Sequence, residues 1–422
     1  MIFIKKLFGI QIVKNLSILV SGSILAQIIA IGFQVVLRRL YTPEDFGAFA
    51  VYMSVVGIIG TISALRYEQA IMLPKHTHDG ISILKLSIFL ILITSILLVI
   101  PFVFFDEQII TLINFPVAYK HWIFFIPVSI LVFGIAQAMN YYLIREKRFK
   151  LSAANKIVRR VFEGITQLFF GAAHRSFGLF LGDLIGQIAV TLSSWIRIIP
   201  ALRTKISWNE LRKSAIRYKD FPYKNGIPSL MNALSLLLPI IIINRQFSEE
   251  ITGYFDLART VLIVPLSLIT ASLSQVLLQQ FSEKRHQNKS IKKQAMGTFI
   301  SLTIFAVFFG LVIQFFGVYI FQFIFGQQWD NSGVYAGIMV WAFALKFIVS
   351  PFNIVFTAFE RIGILSIWQT LYFALILLLA WLPFSTINDF LWAFLVIELV
   401  SYGIAGILNV VLLYSYEKKL VE

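Results

Sequence analysis

Residues 39–49 read Arg39-Leu40-Tyr41-Thr42-Pro43-Glu44-Asp45-Phe46-Gly47-Ala48-Phe49, and residues 245–255 read Arg245-Gln246-Phe247-Ser248-Glu249-Glu250-Ile251-Thr252-Gly253-Tyr254-Phe255. Overlaid at an offset of 206, close to half of the 422-residue chain, they share Arg, an aromatic, a hydroxyl, Glu, Gly and Phe. A weaker match pairs Glu146, Leu151 and Ser152 with Glu360, Leu365 and Ser366. The competing reading is chance similarity between short apolar strings. Taken as a repeat, the stretch marks structure rather than a site. Thr42 or Asp45 can cap a helix, Pro43 suits its first turn, and Gly47 allows close packing.

Outward from these links the chain is a series of long apolar runs. It is 58% hydrophobic and 14% charged, with mean hydropathy +0.83. Soluble domains carry about 25% charged residues, so lipid must solvate much of this surface. A membrane helix needs about 20 apolar residues. The runs give about twelve spans at 16–37, 46–65, 82–105, 121–144, 153–172, 177–199, 226–244, 252–276, 295–324, 334–359, 362–384 and 390–414. Helices satisfy their own backbone in hydrocarbon, and the alternating ten-residue segments of a β-barrel are absent. The expected fold is an all-α polytopic membrane protein. An even number of spans per half makes the repeat parallel: two six-helix lobes around a central cavity. The expected boundaries are 1–200 for the N-terminal lobe, 201–225 for a connector and 226–422 for the C-terminal lobe.

Charge sets the orientation. The net charge of +15 would suggest nucleic acid in a soluble protein, but the basic residues concentrate on alternate links. These are Arg145 to Lys150, the block Arg197 to Lys224, Lys284 to Lys293, and Lys418 with Lys419. Opposite links carry only Arg38, Arg39, Lys120, Arg175 and Arg245. By the positive-inside rule both termini are cytoplasmic, anionic lipids are secondary partners, and no nucleic-acid partner is expected. Lys5, Lys6 and Lys14 resemble a signal-peptide n-region, but the apolar run after them is long and leads into further spans, so we read a retained first helix. The polar stretch from Arg203 to Asn225 alternates Trp208, Leu211 and Ile216 with basic residues. It reads as a connector, or as an amphipathic helix on the membrane.

Ionisable residues at membrane depth cost about 2.5–3.5 kcal/mol each on insertion scales. Span ten carries Lys346, Ser350, Asn353 and Thr357 on one face. Span eight carries Asp256, Arg259, Ser267, Thr270 and Ser274. Span five carries Lys156, Arg160, Glu163 and Gln167, with Arg159 beside them. Span twelve has Glu398, Tyr402 and Asn409; span seven, Asn225, Ser229 and Asn232; span one, Ser23, Gln27 and Gln34; and span six, Asp183. Such stripes imply a polar surface between the lobes with cations available for an anion, and guanidinium matches pyrophosphate oxygens bidentately. The candidate substrate cations are Lys346, Arg259, Arg160, Arg159 and Arg66. Asp256, Glu163, Asp183 and Glu398 are candidates for ion coupling or pairing. Blander readings stand beside these: Asp256 and Arg259 can neutralise each other, and Lys156, Arg159 and Arg160 lie near enough to a helix end to snorkel. The chain has no cysteine, no HExxH-like spacing, no GxSxG and no P-loop. No metal, cofactor, ATP site or enzymatic activity is expected.

Ser21-Gly22-Ser23-Ile24-Leu25-Ala26-Gln27, Leu37-Arg38-Arg39-Leu40-Tyr41-Thr42-Pro43-Glu44-Asp45-Phe46-Gly47 and Leu65-Arg66-Tyr67-Glu68-Gln69-Ala70-Ile71-Met72-Leu73-Pro74 resemble the amino-terminal half of Wzx-type polysaccharide flippases. These belong to the multidrug/oligosaccharidyl-lipid/polysaccharide (MOP) exporter superfamily. Phe221-Pro222, Pro228 to Ser235, Pro239 and Gly253 to Arg259 followed by Pro265-Leu266 are similar to that family too. The resemblance covers about residues 15–285; beyond 295 only the span pattern supports it. It implies alternating access, driven by an ion gradient. The cargo would be an undecaprenyl-pyrophosphate-linked oligosaccharide, moved across the bacterial inner membrane for O-antigen or capsule. The polymerase and chain-length proteins of the same pathway are candidate partners. A drug or metabolite exporter of the same superfamily is the closest alternative. A membrane polymerase would need a large outward loop that is absent here, and lipid II flippases usually carry two further helices. The family motifs mark the fold, so the candidate cations rest on charge and position.

Overall fold

A computed structural model describes residues 10–421. Lys5 and Lys6 lie outside the described residues, as does the side chain of Lys14. The long helices are α1 (Ile10–Leu40), α2 (Pro43–Ile62), α3 (Thr77–Phe104), α4 (Ile126–Arg145), α5 (Phe149–Ala172), α6 (Gly178–Arg203), α7 (Ile227–Gln246), α8 (Glu249–His286), α9 (Lys292–Phe325), α10 (Asp330–Val349), α11 (Ile362–Leu378) and α12 (Ile387–Val421). Each coincides with one expected span. Among the described residues, ten helical segments are long and apolar enough to cross a bilayer. The other two are α5, whose charges break its apolar run, and α11, which is only 17 residues long. The chain forms two compact units, Met1–Ala233 and Leu234–Glu422.

The repeated links do the work their residues suggested. Thr42 caps α2: its hydroxyl accepts from Asp45 N, the Asp45 carboxylate accepts from Thr42 N at 2.9 Å, and Pro43 opens the helix. Ser248 accepts from Ile251 N at 3.2 Å at the start of α8. In both units this link is also tied to the outgoing end of the fifth helix. Tyr41 Oη donates to Gln167 O at 2.7 Å. Gln246 Nε2 donates to Leu379 O and Leu382 O at 3.3 and 3.2 Å. These hydrogen bonds place the duplication in the packing as well as in the letters.

In the first unit α5 packs against α1 and α6, and α3 and α6 flank α4. The α5–α6 contact depends on glycine. A Cβ at Gly182 would sit 2.9 Å from Glu163 O, and one at Gly186 2.9 Å from Arg159 O. Small residues four apart let membrane helices approach at backbone distance. In the second unit α10 is central, packed against α8, α9 and α12. It ends at Val349, and a 3₁₀ turn over Ser350–Asn353 leads to a short helix, Ile354–Ala358. The expected single face through Thr357 is therefore broken. Pro351 has no N–H to give the α-helical ladder, so the chain tightens there.

One feature was not anticipated, and the polar connector holds a helix, one of its two readings. After α3 the chain forms a short helix, Asp106–Ile113, and a 3₁₀ stretch, Val117–Phe125. Tyr119 and Trp122 stack on Phe180, and Tyr119 donates to Asp45. The polar connector contains a ten-residue helix, Trp208–Arg217, started by a reciprocal Ser207–Glu210 cap. Leu211 and Ala215 turn onto the α3–α4 core, and Tyr67 Oη donates to Ala215 O at 2.9 Å. Trp208 and Ile216 face outward.

Candidate functional site

The charged residues singled out in the sequence gather into three clusters, each within one unit. In the first unit Arg159 on α5 reaches Asp183 on α6, with Nη2 to Oδ1 at 3.0 Å, and Glu163 at 3.8 Å. Arg160 Nη1 lies 3.0 Å from Glu163 Oε2. The Gln187 amide, oriented as the donors demand, accepts from Arg159 Nη2 at 2.8 Å. Asp183 is buried. Burial of a charge is tolerated only with pairing of this kind. Around this core the stripes of three helices meet. Lys156 Nζ donates to Ser23 Oγ on α1 at 2.6 Å, and Asn155 Nδ2 donates to Ser194 Oγ on α6 at 2.8 Å. The outer face of α5 presents Phe162, Ile165 and Phe169. The helix is amphipathic inside out, with its polar side toward protein, as suits lipid.

The second cluster joins α8, α10, α11 and α12. Lys346 Nζ lies 3.7 Å from Glu398 Oε2 and 4.9 Å from the centre of the Tyr402 ring. Tyr372 Oη donates to the other carboxylate oxygen. Trp368, Tyr372 and Tyr402 form one aromatic group, so the ammonium faces ring quadrupoles as well as a carboxylate. Arg259 on α8 has Asp256, Tyr372 and Glu398 as electrostatic neighbours. A cavity of about 10 Å³ lies among Arg259, Lys346, Tyr372 and Glu398, about the room one water needs. Further along, Asn409 Nδ2 donates to Asn353 Oδ1 at 2.9 Å. The α10 and α12 stripes thus meet each other. Ser267, Thr270 and Ser274 on α8 instead bond back to their own helix.

Arg66 lies apart from both clusters, in the link after α2. Leu65 and Arg66 adopt left-handed φ values of 49° and 64°, which cost L-residues energy. Arg66 Nη2 donates to Ser229 Oγ at 2.9 Å, and Nη1 lies 3.5 Å from Glu68 Oε1. Asn225 Nδ2 donates to Gln69 Oε1 at 2.5 Å. Burial pushes the Glu68 carboxyl up, against the opposing pull of its backbone hydrogen bond and Arg66. The sequence marked Arg66 but missed Glu68 as its partner, and it missed Tyr372 beside Glu398. A Tyr in an apolar run carries no signal until its neighbour is known. Among the described residues no group of three or more acidic or histidine side chains is arranged to hold a metal.

Residues 36–334 match the family model described as "Polysaccharide biosynthesis protein". No curated protein matches by sequence. Among solved structures, an inward-facing multidrug resistance MATE family transporter of the MOP superfamily has a TM-score of 0.72 at 13% identity, over 93% of this chain and 95% of that one. The lipid II flippase MurJ, inward closed, has a TM-score of 0.74 at 15% identity, over 95% of this chain and 87% of that one. A MOP superfamily transporter from Pyrococcus furiosus with reverse polarity of its binding pocket has a TM-score of 0.62 at 11% identity, over 96% of this chain and 95% of that one. At these identities the likeness establishes the fold.

Proposed function

This chain belongs to the polysaccharide biosynthesis protein family, and from that premise we propose that it is a flippase for polyprenyl-pyrophosphate-linked oligosaccharide. The cargo would be the undecaprenyl-linked repeat unit of an O-antigen or capsule. It would cross the bacterial cytoplasmic membrane by alternating access of lobes 1–200 and 226–422, joined by the connector 201–225. Both termini would face the cytoplasm, as the distribution of Lys and Arg supports. The polymerase of the same pathway would receive the product.

One observation carries the reading: each unit keeps cations on its membrane helices, Arg159 and Arg160 in the first and Lys346 and Arg259 in the second. A buried cation is costly unless it pairs or serves a polar ligand. Planar guanidinium forks suit a pyrophosphate. A drug or metabolite exporter is the second reading, favoured by the MATE-like fold. For the Pyrococcus furiosus transporter, reverse polarity of the binding pocket suggests a different function. Cations here favour an anionic cargo. In cells lacking the protein, Lys346→Gln with Glu398→Gln, which removes the ammonium without stranding its carboxylate, should abolish surface polysaccharide while protein level holds. Full polymer in that variant would remove the cationic-site reading.

A further inference from the structure

The second unit has a feature that the charged clusters do not use. The first half of α9, the end of α10 and the last half of α12 enclose a groove of about 380 Å³. Its walls are apolar: Met296, Phe299, Val349, Phe352, Val410 and Leu413. Met296, Phe299 and Val410 are about half exposed or more, so the groove opens outward, where a membrane helix meets lipid.

Three observations identify an occupant. The groove runs along α12 from Gly406 to Glu417, about 16 Å at 1.5 Å per residue. That is close to the depth of one leaflet of a ~30 Å hydrocarbon core, the length a lipid chain must cover. Its mouth is basic. Lys292 lines it, and Lys289 and Lys293, within three residues of it along the chain, are exposed. The one acid in the lining, Glu417, sits at the same mouth: its Oε1 accepts from Ile291 N at 2.7 Å and Lys292 N at 3.0 Å, capping α9, so that the lysines outnumber it. Several cations at one mouth suit a multiply charged pyrophosphate better than a singly charged phospholipid head. The wall also mixes large side chains, Phe299, Ile348 and Phe352, with the small Ala295 and Gly406, a lining whose sizes suit notches. A chain with a methyl branch at every repeat fills such notches, whereas a straight acyl chain leaves them without contacts.

We propose that this groove holds the polyprenyl chain of the lipid-linked cargo at uptake, with its pyrophosphate at the Lys292 mouth before it reaches the cations of the charged clusters. The chain stays in lipid on the flank of the second unit while the pyrophosphate and sugars move on. The inference rests on the flippase reading and adds the seat of the tail.

Gly406 supplies the test. A Cβ there would meet only Val349 Cγ2, at 3.4 Å. Gly406→Ala therefore leaves the groove open, whereas Gly406→Leu fills it. The full-length protein in lipid nanodiscs would be irradiated with a benzophenone-tagged polyprenyl pyrophosphate, and the labelled peptides mapped. Labelling within 291–299 and 406–417, competed by untagged polyprenyl pyrophosphate but not by phosphatidylglycerol, is expected. It should fall at least tenfold in Gly406→Leu and several-fold in Lys292→Glu, with melting temperatures unchanged and Gly406→Ala like wild type. Labelling that phosphatidylglycerol competes equally would make the groove an ordinary lipid contact and overturn the proposal. Competed labelling confined to other helices would overturn the groove while sparing the flippase reading. No competed labelling anywhere would count against both.

Discussion

Lys346 Nζ and Glu398 Oε2 lie 3.7 Å apart at membrane depth, bridging α10 and α12. Glu398 is only 2% exposed, and its other oxygen accepts from Tyr372. The same ammonium that a pyrophosphate would need is therefore already engaged by a carboxylate. Breaking the pair and removing the pair have different consequences.

Lys346→Gln leaves Glu398 buried without its counter-charge, which costs about 3–5 kcal/mol in such settings. Lys346→Gln with Glu398→Gln removes both charges and should recover most of the loss in a detergent melt. If Lys346 serves the cargo, the stable double variant still makes no surface polymer. Restored polymer would reduce the pair to a structural one.

The duplicated link makes a symmetric prediction. Thr42→Ala and Ser248→Ala each remove a helix N-cap, worth about 1 kcal/mol. Both should lower the melting temperature by similar small amounts. A loss at one site alone would mean that the repeat is not matched energetically.

Orientation is testable directly because the chain has no cysteine, so single cysteines need no engineered background. Tyr223 is 71% and Val117 72% exposed, in links on opposite sides by the expected topology. Tyr223→Cys should react with an impermeant maleimide only after the cells are opened, and Val117→Cys in intact cells. Reversed labelling would invert the topology.

The connector helix should be acid-sensitive. Hydrogen bonds from Ser207 hold the Glu210 carboxyl below its ordinary value. A depressed carboxylate stabilises the helix above the unfolded pKa, and that stabilisation is lost as pH falls through the folded one. Trp208 fluorescence should therefore report loosening only as the pH falls below the ordinary Glu range, and Glu210→Gln should flatten the titration. An unchanged profile in Glu210→Gln would assign the transition to another group.

How far the sequence could be read differs between fold and site. Apolar run length placed all twelve helices, because hydrocarbon thickness sets a length that composition reveals. Even α5 was legible, although its charges break its apolar run, since Lys156, Arg160, Glu163 and Gln167 recur at helical spacing. The stripes were legible as faces, but not which faces meet. That the α10 stripe bonds to the α12 stripe through Lys346–Glu398 and Asn353–Asn409 depends on tertiary packing, which no spacing encodes. Pro351 was visible in the sequence, and its effect on the face through Thr357 was foreseeable from its missing N–H. The short helix Asp106–Ile113 was not, because at eight residues it is too short to show a period.

Transport itself is the central claim, and a translocation assay tests it most directly. The purified chain would be placed in vesicles loaded on one leaflet with a fluorescent polyprenyl-pyrophosphate oligosaccharide, and an impermeant glycosidase would report arrival on the other. Wild-type protein should speed arrival well beyond protein-free vesicles, and the stable variant Lys346→Gln/Glu398→Gln should not. Arrival at the protein-free rate with folded wild-type chain, under an imposed ion gradient as well as without one, would contradict that claim.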